Sequence, residues 1–536
     1  GCLSKLETWC NQNGFKFSTT KTVCIHFCQL RGLHPDPSLT LNGAPKPVVN
    51  EAKFLGVWFD RKLNFVHHIT YLKAKCLKAL NLIKVVSRLD WGGDRKVLLR
   101  LYRSLVRSKL DYGSIIYGSA RKSYLKKLDT VANQGLRLCL GAFRTSPIDS
   151  LQVEANEPSL YLRREKLSLQ YALRVSSNPK NPTFDTIFKP KFKQLFGAKP
   201  SAIPTFGIRV EPQLTEMAFR PSQIEHKKVS KVAPWTYKVP TVLFDLAKTK
   251  KSQTTPEIFI SKFNEIKDKY PNYVSVFTDG SKMDDRVACA AIFNGRAIKS
   301  RLPEKASIFS AELKAIELAL GAIESSSRRN FIIWSDSKSC LQALLQSCPE
   351  NPHVAGILYK LQLMKNKELV FCWLPSHMGI QGNDAADAAA KEALNERITF
   401  YTLPSSDFRV HVNSLIRKKW QGYWDDQDVN KLNELKPYLG NSNIQFNTRR
   451  DEVVYTRLRL GHSYITHSFL LRGEEPPLCV GCNSRMSIKH ILIECLDFTH
   501  TRLQYYNVLN LKDLFDTVSP NLVVSFIKAI GLYKQI

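Results

Sequence analysis

No stretch of this chain reaches the length of about 18 uncharged apolar residues that a membrane-crossing helix needs, so a membrane partner is not expected. The opening residues, Gly1-Cys2-Leu3, include neither Met nor a basic-then-apolar leader, so neither a secretory signal nor a natural start is visible and the sequence reads as a fragment. It shows no internal repeat. Cysteine is not organised as a disulfide framework: most of the 13 are scattered over apolar segments such as Val23-Cys24-Ile25 and Phe371-Cys372-Trp373, as reduced core residues are. Acid is scarce, with 47 Asp and Glu against 78 Lys and Arg, which leaves a net charge of +31 and a pI ≈ 9.6. Self-repulsion of that size persists where a polyanion neutralises it, which points to nucleic acid as the partner rather than a small-molecule substrate. A merely soluble basic surface is the alternative.

With 536 residues, 43% of them apolar, and a mean hydropathy of −0.23, the chain exceeds one core. At about 100–200 residues per domain it fits three or four globular units. Residues 1–200 hold 34 Lys and Arg against 13 Asp and Glu, whereas residues 273–394 hold 14 against 13. The N-terminal flank thus supplies non-specific phosphate attraction, while the middle uses its carboxylates otherwise.

Residues 1–65 read as a small α+β piece, with a helix over 3–13, a turn at Asn13-Gly14 and short strands over 22–27 and 53–60. Over 66–177 apolar residues return at helical spacing, as in Leu98, Leu99, Tyr102, Leu105 and Val106, interleaved with Lys and Arg, which predicts a basic helical bundle. Residues 178–268, rich in Pro, Lys and Ser, read as an extended linker. Over 269–397 strands are expected at 273–278, 287–293 and 296–302, the last two joined at Asn294-Gly295. Helix 310–325, strand 330–335, helices 337–346 and 354–366, strand 368–374 and helix 383–394 follow. This pattern predicts a mixed α/β sheet of about five strands with flanking helices. Residues 398–536 form a C-terminal region.

Three acids lie where a buried sheet should not place them by chance. Asp279 ends one apolar strand, Asp336 ends another, and Glu312 lies in the first turn of a helix. Strand ends emerging on one sheet edge bring such carboxylates together, and unpaired they repel. A pair of hard cations removes that cost, because Mg2+ prefers carboxylate oxygens, with Mn2+ as a substitute. Asp387, a turn into the last helix, supplies a fourth acid, and Asp384 beside it competes for that place. Taken singly, these acids could equally be caps, helix N-terminal charges or solvated residues, and His377 an ordinary loop histidine.

As an ordered set, Thr278-Asp279-Gly280-Ser281, Ser310-Ala311-Glu312-Leu313, Ser335-Asp336-Ser337 and the run from Trp373 through His377-Met378-Gly379 to Asn383-Asp384-Ala385-Ala386-Asp387 resemble the motifs of type 1 ribonuclease H over about 120 residues. The resemblance implies a ribonuclease H-like fold and endonucleolytic cleavage of the RNA strand of RNA–DNA hybrids. It also implies Asp279, Glu312, Asp336 and Asp387 as ligands for two Mg2+ ions, with His377 assisting proton transfer or product release. Two-metal hydrolysis, with an activated water attacking in line at phosphorus, is the implied mechanism.

The flanks carry a second resemblance. Trp9-Cys10-Asn11-Gln12-Asn13-Gly14-Phe15-Lys16-Phe17, Lys21-Thr22 and Phe54-Leu55-Gly56-Val57-Trp58-Phe59-Asp60 are similar to the end of the palm of a non-LTR retrotransposon reverse transcriptase of the jockey and R1 kind. It implies a partial palm at 1–65 and a thumb at 66–177, with the polymerase aspartates upstream. Tyr423-Trp424-Asp425-Asp426 mimics the polymerase signature, but its helical context beyond the nuclease makes it a chance match. Cys479, Cys482, His490 and Cys495 have the donor types and spacing of a closed tetrahedral structural Zn2+ site, although the seven-residue gap is shorter than in common fingers. The rival to a working nuclease is a catalytically decayed retroelement remnant that only binds nucleic acid.

Overall fold

The computed structural model describes residues 2–18, 20–28, 35–198, 203–226, 239–249, 251–346, 349–441 and 444–536. The chain divides into two compact units, one comprising Leu169–Lys193 and Phe206–Leu415, the other Gly1–Ser168, Gln194–Thr205 and Ile416–Ile536. Among the described residues no helix is long and apolar enough to cross a membrane.

The first unit is built on a mixed sheet. Its elements are β1 (Thr241–Leu243), α1 (Pro256–Lys269), β2 (Val274–Met283), β3 (Arg286–Phe293), β4 (Arg296–Leu302), α2 (Ile308–Ser325), β5 (Asn330–Ser335), α3 (Lys338–Leu344), α4 (Pro352–Leu363), β6 (Glu368–Trp373) and α5 (Gln381–Ala393). The spatial order is β1-β6-β5-β2-β3-β4. The β1, β6, β5 and β2 strands run parallel, and β3 and β4 complete an antiparallel meander. Asn294 and Gly295 both take positive φ at the β3–β4 turn, the conformation that an Asn-Gly hairpin requires.

The central strands are apolar on both faces because both are covered. Phe331 and Ile333 pack with Leu313, Ile316, Leu320, Leu341 and Ile357 from α2, α3 and α4. The alternating Ile332 and Trp334 pack with Phe259, Phe263 and Ile266 of α1 on the other side. Helix α5 lies on β3 through Ala389 and Ala390 against Ala290, small side chains that let helix and strand approach closely.

Two sequence expectations are corrected here. The sheet has six strands rather than about five, because β1 pairs in parallel with β6 through Val242 and Phe371. Consequently the stretch 178–268 is not simply a linker: it contributes β1, α1 and the helix Phe206–Glu216, with Val210, Leu214, Phe219 and Ile224 buried. Prolines interrupt the apolar periodicity that would have shown this. Residues 199–202, 227–238 and 250 of that stretch lie outside the described residues.

The same stretch supplies a pH-sensitive contact. His353, buried at the start of α4, has Nδ1 3.2 Å from Glu317 Oε1 and 3.3 Å from Glu225 Oε2. Burial pulls its pKa down, but Glu317 and Glu225 more than offset this and hold it above the usual 6.5. A raised folded-state pKa contributes stability that is complete below the unfolded value and lost as pH rises through the folded one. The nuclease unit's melting temperature should therefore fall by a few degrees as pH climbs above 6.5, and His353→Gln should flatten that slope.

The second unit holds the helix Cys2–Gln12, the antiparallel hairpin Glu51–Phe54 with Val57–Asp60, the helices Val66–Val86, Arg95–Tyr102, Lys122–Leu140 and Ile148–Ala155, and the C-terminal helices Lys431–Leu435 and Arg449–Leu460. Residues 66–177 and 398–536, separate regions in the sequence reading, share this unit over much of their length. A buried ion cluster explains the union: Glu154 lies 3.0 Å from Arg95, 3.3 Å from Arg459 and 4.0 Å from Lys436, and Glu452 accepts the Arg95 N–H at 2.9 Å. Burial pushes the Glu154 carboxyl up, yet Arg459, Arg95 and Lys436 hold it at about 2. Charges this buried persist only when paired, so both chain regions must be present. Tyr423-Trp424-Asp425-Asp426 lies in and just after the helix Phe408–Asp425, with Trp424 buried and donating from Nε1 to Lys436 O.

Candidate active site

The parallel register sets Thr278 of β2 opposite Ser335 of β5, so Asp279 and Asp336, one residue further on, come side by side. Asp336 follows the end of β5, whereas Asp279 does not end its strand as the sequence suggested: β2 runs on to Met283, and Asp279 is paired with Ala290 of β3. Helix α2 brings the third acid. Its N-cap Ser307 accepts the Ser310 N–H at 3.1 Å, and Gly280 lets the helix settle on β2: a Cβ there would lie 2.9 Å from Glu312 N and 3.1 Å from Ala311 Cβ. As a result, Asp279, Glu312 and Asp336 each present a carboxylate oxygen within 4.8 Å of the others.

The cluster is electrostatically unfavourable as it stands. Burial, then Asp336 and Asp387, push the Asp279 carboxyl up to about 7. Burial, then Asp336 and Asp279, raise Glu312 well above its ordinary range, and burial also raises Asp336. Glu312 Oε2 is buried and accepts no hydrogen bond among the described residues. A carboxylate oxygen left unsatisfied beside two other acids fits a divalent cation, which replaces the missing donors and cancels the repulsion.

Asp387 is outside this tight group but acts on it, raising both Asp279 and Asp336. It sits on α5, whose first turn lies on β2: a Cβ at Gly382 would meet the Phe277 ring at 2.2 Å. Lys391, one turn on, holds Asp387 Oδ2 at 2.7 Å. His377, exposed on the loop before α5 at φ 55, has Nδ1 3.9 Å from Asp387 Oδ2. Asp384 points to solvent.

Residues 271–395 match the sequence model of the RNase H family. This segment is an RNase H domain. The chain is also similar to retroelement proteins. It is 29% identical over 180 residues to a retrovirus-related Pol polyprotein from the type-1 retrotransposable element R1 of Bradysia coprophila, covering 33% of this chain and 18% of that one. It is 31% identical over 132 residues to a probable RNA-directed DNA polymerase from the transposon X-element of Drosophila melanogaster, covering 24% and 14% respectively. It is 25% identical over 181 residues to the RNA-directed DNA polymerase from mobile element jockey of the same fly, covering 33% and 19%. The chain therefore spans under a fifth of the length of these relatives.

Several residues that shape the RNase H site were not singled out from the sequence. Lys391 is readable in retrospect as the i+4 partner of Asp387. Asp407, buried, accepts the Ser307 N–H at 3.0 Å and the Ser310 hydroxyl at 2.9 Å, fixing the start of the helix that carries Glu312. No local pattern could link it to a helix about 100 positions earlier.

The second candidate centre is the Cys/His cluster. Cys479, Cys482, His490 and Cys495 offer ligand atoms that all lie within 4.8 Å of one another. Cys495 Sγ is 3.8 Å from both Cys479 Sγ and Cys482 Sγ. That separation excludes a disulfide at about 2.05 Å and equals the edge of a tetrahedron with metal–sulfur bonds of about 2.3 Å. His490 Nδ1 lies 3.2 Å from Ser484 Oγ, while Nε2 is buried without a hydrogen-bond partner among the described residues. This donor set is compatible with zinc, the Ser484 contact holding the ring and leaving Nε2 as the ligand nitrogen.

Proposed function

We propose that this chain is a Mg2+-dependent endonuclease that cuts the RNA strand of RNA–DNA hybrids, and that it represents the C-terminal part of a non-LTR retrotransposon reverse transcriptase. The observation that carries this reading is the convergence of Asp279, Glu312 and Asp336, with Glu312 Oε2 buried and accepting no hydrogen bond among the described residues. Asp279, Glu312, Asp336 and Asp387 would hold two Mg2+ ions, which supply an activated water and neutralise charge developing on the leaving 3′ oxygen. The protein's own part is to preset these carboxylates on rigid strands and helix turns, so little reorganisation is needed when substrate arrives. Lys391 keeps Asp387 oriented toward the cluster. His377, exposed at the rim, is placed to take up or deliver a proton as the cleaved strand departs. RNA is selected by its 2′-hydroxyls, read across a shallow minor groove, with the other strand held as DNA.

The flanking regions fit the same polyprotein: a partial palm over 1–65, a thumb over 66–177 whose Lys and Arg grip duplex phosphates, and a structural Zn2+ held by Cys479, Cys482, His490 and Cys495. The test is cleavage of a labelled hybrid by the 536-residue chain and by Asp336→Asn. The wild type should cut only the RNA strand and only with Mg2+ or Mn2+, and Asp336→Asn should be inactive. Equal cleavage rates would sink the assignment, and salt-dependent binding by the wild type without any cleavage would instead make the chain a nucleic-acid-binding remnant.

A further inference from the structure

The loop that carries His377 is held from a part of the chain outside the RNase H match. Strand β1 pairs Leu243 with Cys372, just before the loop leaves β6. The following turn, Asp245–Lys248, buries Leu246 in the same core cluster as Leu374 and Ile380, which bracket the loop. Thr249 is then held by Lys262 of α1, whose Nζ donates to its Oγ1 at 2.6 Å. Finally Lys251, though exposed, turns its Nζ onto Ser376, donating to the backbone oxygen at 2.9 Å and to Oγ at 3.3 Å. Ser376 immediately precedes His377, which takes a left-handed backbone conformation at φ 55 that a non-glycine residue holds only when its surroundings impose it.

We propose that β1, the turn Asp245–Lys248 and Lys251 form a brace for the loop 374–380, and that Lys251 is the positioning residue that sets His377 against Asp387. Lys251 hydrogen-bonds Ser376 and none of the acids; its charge also favours the ionised form of Asp336, an effect Lys251→Arg retains. Its three donors satisfy a carbonyl and a hydroxyl at the point where the chain turns, which leaves His377 one orientation above the acids rather than several. The effect on catalysis rests on the hybrid-nuclease reading; the effect on the loop does not.

The experiment uses the 536-residue chain with Lys251→Met, which keeps the aliphatic stem, and Lys251→Arg, which keeps the donors. In hybrid cleavage, Lys251→Met should lower kcat about tenfold with KM within about twofold, and Lys251→Arg should recover most of the loss. Amide exchange over 374–380 should quicken at least about tenfold in Lys251→Met while 330–335 keeps its protection. Unchanged kcat and unchanged exchange would overturn the proposal, as would a raised KM at constant kcat, the mark of a contact to substrate phosphate. Should the wild type cleave nothing, the nuclease reading fails and the exchange comparison alone decides the brace.

Discussion

Asp279→Asn is expected to make the metal-free protein more stable and the nuclease inactive. The Asp279 carboxyl is raised from 3.8 to about 7, by burial first and by Asp336 and Asp387 next. A carboxyl raised in the folded state favours folding below its unfolded pKa and loses that contribution as pH rises toward 7. At pH 8 without divalent ions the wild type therefore bears a penalty of the order of 2–4 kcal/mol, at about 1.36 kcal/mol per pKa unit. Asparagine cannot ionise, so the variant should melt several degrees higher than wild type at pH 8 and show a flatter slope between pH 5 and pH 8. Mg2+ should stabilise the wild type and leave the variant nearly unchanged, because only the native cluster binds it. Cleavage should fall about 10^3-fold, the equivalent of the several kcal/mol that metal clamps contribute. A variant that melts lower at pH 8, or cuts within about tenfold of the wild-type rate, would contradict the account.

The second large effect is expected at Cys495, which is fully buried beside the other two thiols. In the surrounding segment Val480 and Leu496 are exposed and Leu478 largely so, while Ile488, Ile491 and Leu492 are buried. The exposed loop that carries Cys479 and Cys482 is tied to the buried part by the ligand cluster, and that part is also held by Arg502, whose guanidinium reaches Ile493 O and Cys495 O, and by Tyr506, whose hydroxyl donates to Leu492 O at 3.1 Å. Structural zinc contributes about 10–16 kcal/mol of apparent binding energy in finger peptides, so removing one thiolate should unfold the segment rather than loosen it. Cys495→Ser should take bound zinc from one per chain to near none by elemental analysis. Amide protection should disappear over 478–497 and persist over 330–335. Full zinc occupancy in Cys495→Ser, or intact protection without metal, would remove the structural role.

Both effects involve residues that the sequence made legible, and for the same reason. Asp279 and Asp336 follow apolar runs, Glu312 opens a helix, and Cys479 and Cys482 share a turn, so each announces itself locally. Their meeting follows from a parallel register that places Thr278 against Ser335. The Asn294-Gly295 hairpin was readable because only a few residue types tolerate two successive positive φ angles. What the sequence concealed depends on distant partners. Thr241–Leu243 is three residues long beside Pro240, too short for periodicity, and becomes a strand only through β6. Asp407 and Lys251 look like surface charges until Ser307, Ser310 and Ser376 come to meet them. The shared unit of 1–168 and 416–536 rests on Glu154, an acid in an unremarkable helix whose cations come from Arg95, Lys436 and Arg459.

The most direct measurement is anomalous diffraction from crystals of the 536-residue chain soaked in Mn2+. Density bridging Asp279, Glu312 and Asp336, with Asp387 at its edge, is the result expected if these carboxylates are assembled to hold divalent ions. Mn2+ bound elsewhere, with the three acids free of metal at saturating concentration, would contradict it.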